Sequence, residues 1–363
     1  MRVAVLLLVA IFVVAAVGEP QLQGMRELVE WVVASGGKVN GDSKYNKHGF
    51  RGLFATKSIK EGEPILTIPA ACSINTGSVS GSFLTPALVV LRELRHPASP
   101  YRPYLDIFPK PHELVTACNL DPKYLPLLPP QLVAQVRSWQ GYLAEALRGS
   151  NNLQLEYTVA EVLGGSGSNA SLTLDELKYG CAVSSTRYVS SLERKRLMMF
   201  PVFDLLNHRQ HCPHTLAQYD EGDEMQLVAG EDVEAGEELC YNYGSMRDDY
   251  SVMHYGFVPE LQDPPRLLEI DHHQYNASKS NQAELSEERF SGTVAELRAE
   301  LTRQRGTLTA LAKVEEEQAS STGRLPTGQD PVYEMLLELQ GRRLNALRYE
   351  VQRLEAYLRK SEL

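Results

Sequence analysis

Residues 201–208, Pro201-Val202-Phe203-Asp204-Leu205-Leu206-Asn207-His208, decide how this chain is read. They close a mostly apolar stretch that begins at Phe200, so the local reading is a strand end that turns into a loop at Asn207-His208. Alone, an Asn-His pair more often marks a turn, and Asp204 a local cap or salt-bridge partner. Three further segments stand in a fixed order around it. Upstream are Arg51-Gly52-Leu53-Phe54-Ala55-Thr56, continued by Ile59-x-x-Gly62-Glu63, and then Ser185-Thr186-Arg187-Tyr188. Downstream are Ala235-Gly236-Glu237-Glu238-Leu239-Cys240-Tyr241-Asn242-Tyr243-Gly244 and then Tyr255-Gly256-Phe257. Each segment is weak by itself; the order and separations of the four together carry the reading.

The rest of the chain sets the frame. Of 363 residues, 43% are hydrophobic and 23% charged, the mixture of a folded soluble protein and not of a collagen, a disordered tail or a small disulfide scaffold. With 36 basic against 46 acidic residues, the formal charge of -10 argues against nucleic acid as the partner. Arg2 precedes an unbroken apolar run from Val3 to Val17, followed by Gly18-Glu19-Pro20. As a helix that run spans about 22 Å, short of the roughly 30 Å hydrocarbon core, so residues 1–18 read as a cleavable secretory signal, with an uncleaved anchor as the other reading. No later segment is apolar enough to span a membrane. The expectation is a soluble protein of the secretory pathway, or one secreted. Asn169-Ala170-Ser171 and Asn276-Ala277-Ser278 are glycosylation acceptor sequons in polar stretches. The five cysteines, Cys72, Cys118, Cys181, Cys212 and Cys240, form no CxxC pair and no disulfide framework, and an odd count leaves at least one thiol free or paired outside the chain.

Along the chain, Met25 to Ser35 reads as a short amphipathic helix and Gly49 to Pro69 as strands around the turn Lys60-Glu61-Gly62-Glu63. Residues 80–180 read as mostly helical, with a flexible loop at Gly164–Ser168, and 198–258 as short strands and turns. Phe290, Val294, Leu297, Leu301, Leu308 and Leu311 share one helix face. Leu344, Leu347, Val351, Leu354 and Leu358 share another, beyond a Gly/Pro-containing loop at 321–331. The second stripe covers only two heptads, so packing within the chain is expected over a coiled coil.

The four ordered segments resemble a SET-domain protein methyltransferase. The helical stretch between the first and second segments, and the helical tail, resemble the branch typified by the Rubisco large-subunit lysine methyltransferase. The resemblance implies an α+β fold: a SET β core with a knot-like crossing, a helical insertion and a C-terminal all-helical substrate-binding domain. The parts it implies are 25–77 (first SET part), 78–180 (insertion), 181–260 (second SET part) and 265–363 (helical domain). It further implies S-adenosyl-L-methionine as methyl donor, a protein substrate, lysine N-ε foremost as the target, and a monomer. Histidine methylation and a catalytically silent binding module are the alternatives. A plastid reached through the secretory route would reconcile the leader with a plastid substrate.

Each motif also has a physical reading. Gly52 lacks a β-carbon, so its backbone can come close to a ligand, although an ordinary hairpin glycine looks the same. Arg187 has the rigid fork that suits a carboxylate, although most arginines lie on the surface. The resemblance implies that Gly52, Leu53, Phe54, Arg187, Asn207, His208 and Phe257 hold the donor, with Asp204 supporting them and the Asn207 side chain fixing the crossing. It also implies that Tyr243 is the catalytic residue, orienting the attacking amine, with Tyr241 and Tyr255 as channel walls. Aromatic residues in strands are otherwise usually core. The chain departs from the family at Phe50, where a glycine is usual, at Val189 in place of an aromatic, and at Asp248 in place of Asn. His208, His211, Cys212 and His214 lie within seven residues and suit zinc chemically, but their spacing fits no common structural finger, and the reading is of no metal.

Overall fold

The computed structural model describes residues 23–46, 51–149, 172–191, 195–218, 224–271, 293–320 and 330–360. The leader, both sequons, Phe50 and the loop at Gly164–Ser168 lie outside the described residues. Within them are eleven strands: β1 Lys38–Val39, β2 Gly41–Tyr45, β3 Arg51–Ala55, β4 Pro64–Ile68, β5 Ile74–Ser78, β6 Tyr188–Ser191, β7 Arg196–Met199, β8 Asn207–His208, β9 Thr215–Gln218, β10 Met225–Val228 and β11 Glu238–Tyr241. The helices are α1 (23–34), α2 Leu84–Arg95, α3 Arg102–Leu105, α4 Pro130–Leu147, α5 Leu174–Ser185, α6 Asp248–Tyr255, α7 Val294–Ser320 and α8 Pro331–Lys360.

The chain divides into two compact units, residues 1–114 with 140–245, and 115–139 with 246–363. The segment 115–139, from the middle of the stretch read as the insertion, thus groups with the C-terminal helices. The first unit contains three small sheets, ordered β1-β4-β10-β9, β2-β3-β11-β8 and β5-β7-β6. β4 lies between β1 and β10, which is why Pro-Ile-Leu-Thr-Ile reads as a continuous apolar run, whereas β10 alternates buried and half-buried positions. The turn after Ile59 closes with the Glu63 N–H donating to the Lys60 carbonyl at 2.9 Å. Leu28 and Val32 of α1 join Leu53, Ile65, Leu66, Ile68, Met199 and Leu239 in one core. At α5, Thr173 and Glu176 form the reciprocal capping box that starts the helix.

The second unit has its own core, in which Ala117, Leu120, Leu132 and Val136 pack with Val252, Met253, Leu336 and Leu339. The two leucine stripes behave as read: Leu297 packs with Leu354 and Leu358, and Leu347 with Leu308 and Leu311, so α7 and α8 form a hairpin. Val294 is an exception, at 41% exposure, and Phe290 lies outside the described residues. Asp271 and Arg343 make a buried two-pronged ion pair, with both N···O distances 2.7 Å. One element differs from its sequence pattern. Residues 248–255 form a helix where short strands and turns were expected, and Asp248, one of the departures, opens it and pairs with Arg342 at 3.6 Å. An acidic pair in the first turn suits the helix dipole, a signal that outweighs the aromatic content of the segment. Among the described residues no helix is long and apolar enough to cross a membrane.

Candidate active site

Three distant segments meet in one sheet of the first unit. β11 runs antiparallel to β3, with Glu238 opposite Phe54 and Leu239 opposite Leu53. On its other side it runs parallel to β8, with Cys240 opposite Asn207 and Tyr241 opposite His208. β8 and β11 are parallel, so residues 209–237 must run as a crossover connection to bring them side by side, and the crossing is the place where β8, β11 and β3 meet. Asn207 fixes that crossing: its Nδ2 donates to the Arg51 carbonyl at 2.9 Å and to Glu238 Oε1 at 2.7 Å. Gly52 makes the approach possible. A β-carbon there would lie 2.5 Å from Glu238 Oε1 and 3.0 Å from Asn207 Nδ2, so a larger residue would displace the side-chain ends that hold the crossing.

Tyr243 is held by the same few residues. Its N–H donates to His208 Nδ1 at 3.1 Å, and its hydroxyl donates to the Leu206 carbonyl at 2.5 Å. The His208 and Tyr243 rings are 5.4 Å apart, and Tyr241 lies edge-on to Phe203 at 4.8 Å. Burial raises the Tyr241 phenol above its ordinary pKa, so it stays neutral.

A buried charge cluster adjoins the crossing. Asp204 sits in a single turn of 3-10 helix, Phe203–Leu205, that follows Val202. Val202 is fully buried and has a φ of 67°, a conformation that a β-branched residue adopts only under constraint from its surroundings. Asp204 faces Arg187 at 3.4 Å, with side chains 3% and 9% exposed. The Tyr104 hydroxyl donates to Asp204 Oδ2 at 3.1 Å, and the Arg187 guanidinium lies 5.5 Å from the Phe108 ring centre. Asp204 Oδ1 and Arg187 Nε, both buried, have no hydrogen-bond partner among the described residues. Burial pushes the Asp204 carboxyl above the usual carboxylate range, against the opposing pull of Arg187 and Arg51. Tyr104 is raised well above its ordinary value by burial and by Asp204. The Arg51 guanidinium is lowered, first by burial and then by Arg187.

The structure therefore brings together Gly52, Asn207, His208, Tyr241 and Tyr243 at the crossing, and Arg187 with Asp204 beside it. Leu53 contributes only backbone here, because its side chain is fully buried in the core. Phe54 is half-buried and sits between Asp42 and Glu238 in the sheet. Tyr255 and Phe257 belong to the second unit, where their rings pack edge to face at 6.2 Å; Tyr255 ends helix α6 and is not in a strand. The departure at Val189 has a simple cause: Val189 packs on the core while the preceding Tyr188 is 37% exposed, as strand alternation requires.

Sequence reading missed three contributors. Glu238 is the acceptor that Asn207 needs, and its signal is a carboxylate at the start of β11 beside the buried Leu239 and Cys240. Tyr104 supplies Asp204's hydroxyl partner and left no signal, being one tyrosine in a proline-rich helical stretch. The third is a disulfide: Cys212 and Cys240 bond and tie the segment after β8 to β11, while the thiol expected to be left over from an odd count is the buried free Cys72. A 28-residue separation gives no sequence motif, and only the crossing makes the two cysteines neighbours.

The pattern that defines the SET domain matches residues 50–244, more than half of the 363 residues. The chain belongs to the SET-domain family. The chain is 24% identical over 233 residues to human SET domain-containing protein 4, covering 57% of this chain and 52% of that protein. It is 25% identical over 263 residues to the actin-histidine N-methyltransferase of Xenopus tropicalis, covering 64% and 43%. The chain thus spans about half the length of the curated relatives it matches. Among solved structures, the SET domain of LSMT bound to lysine and AdoHcy superposes with a TM-score of 0.64 at 17% identity, covering 95% of this chain and 92% of that one. Rubisco LSMT bound to AdoMet gives 0.63 at 16%, covering 93% and 92%. These likenesses establish the α+β SET fold with its C-terminal helices.

Proposed function

We propose that this chain is an S-adenosylmethionine-dependent protein methyltransferase whose target is a lysine N-ε. The observation that carries the reading is the buried Arg187–Asp204 pair, in which one guanidinium N–H donor and one carboxylate oxygen have no hydrogen-bond partner among the described residues. Burying two such groups unsatisfied is costly, and an amino-acid head group would satisfy both, its carboxylate on the guanidinium and its ammonium on the carboxylate. S-adenosylmethionine carries such a head group, so the residues present fit it. The backbone around Gly52 and the Asn207-His208 pair would hold the rest of the molecule.

When bound, the donor supplies an electrophilic methyl on a sulfonium. This chain's residues would align the nucleophile and exclude water. The Tyr243 hydroxyl donates to the Leu206 carbonyl, and a hydroxyl oxygen that donates can also accept from an amine. Tyr241 stays a neutral wall. A lysine amine, with a solution pKa near 10.4, must arrive unprotonated, which a desolvated channel favours. Tyr243→Phe is expected to cut turnover about 100-fold or more while leaving donor affinity unchanged. Loss of donor binding in that variant would refute the role given to Tyr243.

A histidine target is the second reading, supported by the likeness to the actin-histidine N-methyltransferase. Acid hydrolysis of a protein labelled by the chain with isotopic donor separates methyl-lysine from methyl-histidine. A chain that binds donor but labels no protein would favour the silent binding module. We further infer a secretory route, with a plastid at its end as the alternative; the signal-like leader and the Cys212–Cys240 disulfide support an oxidising compartment. A fluorescent fusion that stays in the cytosol would contradict it.

A further inference from the structure

The segment that follows the crossing carries a feature that neither the donor nor the target amine uses. Cys212, His214 and Cys240 converge, their potential ligand atoms all lying within 4.8 Å of one another; it is the one such group of three or more His, Cys, Asp or Glu side chains among the described residues. Two of the three, His214 and Cys240, are buried.

Their placement is built into the fold. Cys240 is fixed in β11 by pairing with Asn207. Cys212 and His214 flank Pro213, and the Pro213 carbonyl lies where a β-carbon on Gly230 would be only 2.0 Å away, so the segment is pressed onto a glycine that must remain one. The Cys212 N–H donates to the Arg209 carbonyl at 3.1 Å, and Asn242 Nδ2 holds the Gln210 carbonyl at 2.8 Å. His214 Nδ1 receives only a long 3.4 Å bond from the Gly230 N–H, which a stronger partner can replace. His208 is not part of the group, since its Nδ1 takes the Tyr243 N–H. The 6.0 Å between the Cys212 and Cys240 α-carbons allows the disulfide and also allows two thiolates on one tetrahedral ion with S–metal bonds of about 2.3 Å.

We propose that Cys212, His214 and Cys240 form a zinc site of the reduced chain, which the disulfide replaces on oxidation. Two thiolates and an imidazole suit a thiophilic d10 ion, with water or a fourth ligand completing the tetrahedron. Reduction by a dithiol breaks the S–S bond, delivers two electrons and two protons, and leaves the reductant as its own disulfide. Zn2+ then displaces both thiol protons on binding. Both states tie the segment after β8 to β11, so the crossing is clamped before oxidation as well as after it. The inference is independent of the proposed methyl transfer.

The test uses the full mature chain, reduced with excess dithiol that is then removed under argon, and titrated with Zn2+ against a chromophoric chelator. One zinc per reduced chain is expected, with none taken by the oxidised chain. His214→Ala, which keeps every thiol and the disulfide, should weaken binding at least tenfold, and Cys240→Ser should abolish it. Cobalt in place of zinc should give the visible bands of a tetrahedral thiolate site, altered in His214→Ala. A reduced chain that takes no zinc, or a folded His214→Ala that binds as the wild type does with unaltered cobalt bands, overturns the proposal. The latter outcome would place the metal on other thiols.

Discussion

Among the described residues, each unit holds an arginine–aspartate pair with both side chains under 10% exposed, and the two differ in how completely they are satisfied. In the second unit, Arg343 grips Asp271 with two bonds of 2.7 Å, side chains 6% and 2% exposed, and Arg303 covers the Asp271 carbonyl. In the first unit, Arg187 and Asp204 are buried almost as deeply yet stand 3.4 Å apart, each with an unused atom. A pair that serves only the fold can be optimised to closure. A pair that must accept a ligand has to keep bonding capacity in reserve, and it is stabilised by its neighbours instead, here Tyr104, Phe108 and the constrained turn at Val202.

That contrast can be broken in order of effect. Arg343→Ala leaves a buried carboxylate uncompensated and should cost about 3–5 kcal/mol of stability, measured by urea unfolding, with donor affinity unchanged in the folded fraction. Arg187→Gln should do the reverse, weakening donor binding by about 2–5 kcal/mol and stability by less than Arg343→Ala does. Equal stability losses in the two variants would erase the distinction. A pH series sharpens it further. Asp204 has a folded pKa raised above 3.8, so folding takes up a proton and stability falls as the pH climbs above that value. Removing Arg187 removes the main charge opposing that shift, so the fall should continue to higher pH in Arg187→Gln, as melting temperature against pH will report. The smallest effect belongs to a surface pair. Glu176 is held down to about 2 from 4.5, first by Arg95 and then by the Thr173 N–H. Its contribution is present above pH 4.5 and lost as the pH falls towards 2, and because its side chain is 40% exposed Glu176→Gln should cost under ~1 kcal/mol at neutral pH.

The same contrast shows what a sequence discloses. The crossing was legible because its parts are local words: Gly52, Asn207-His208 and Tyr243 each sit in a short motif whose order is fixed. The α7–α8 stripes were legible because helix periodicity repeats along one segment. What stayed hidden depends on contacts between segments far apart in the chain. Tyr104 reaches Asp204 across 100 positions, and Asp271 reaches Arg343 across 72, with nothing local to mark either. Helix α6 runs against the strand-like look of Tyr250 and Tyr255 taken one by one, and the acidic first turn, Asp248-Asp249, is the better guide.

The central claim is that the reserve bonding capacity of Arg187 and Asp204 belongs to the methyl donor. Calorimetric titration of S-adenosylmethionine into the mature chain from Glu19 onward, with Arg187→Ala as control, tests it most directly. The account predicts binding on the order of micromolar in the wild type, lost in the variant while the fold is retained. No heat from a well-folded wild-type chain, or equal affinity in the two, would contradict it.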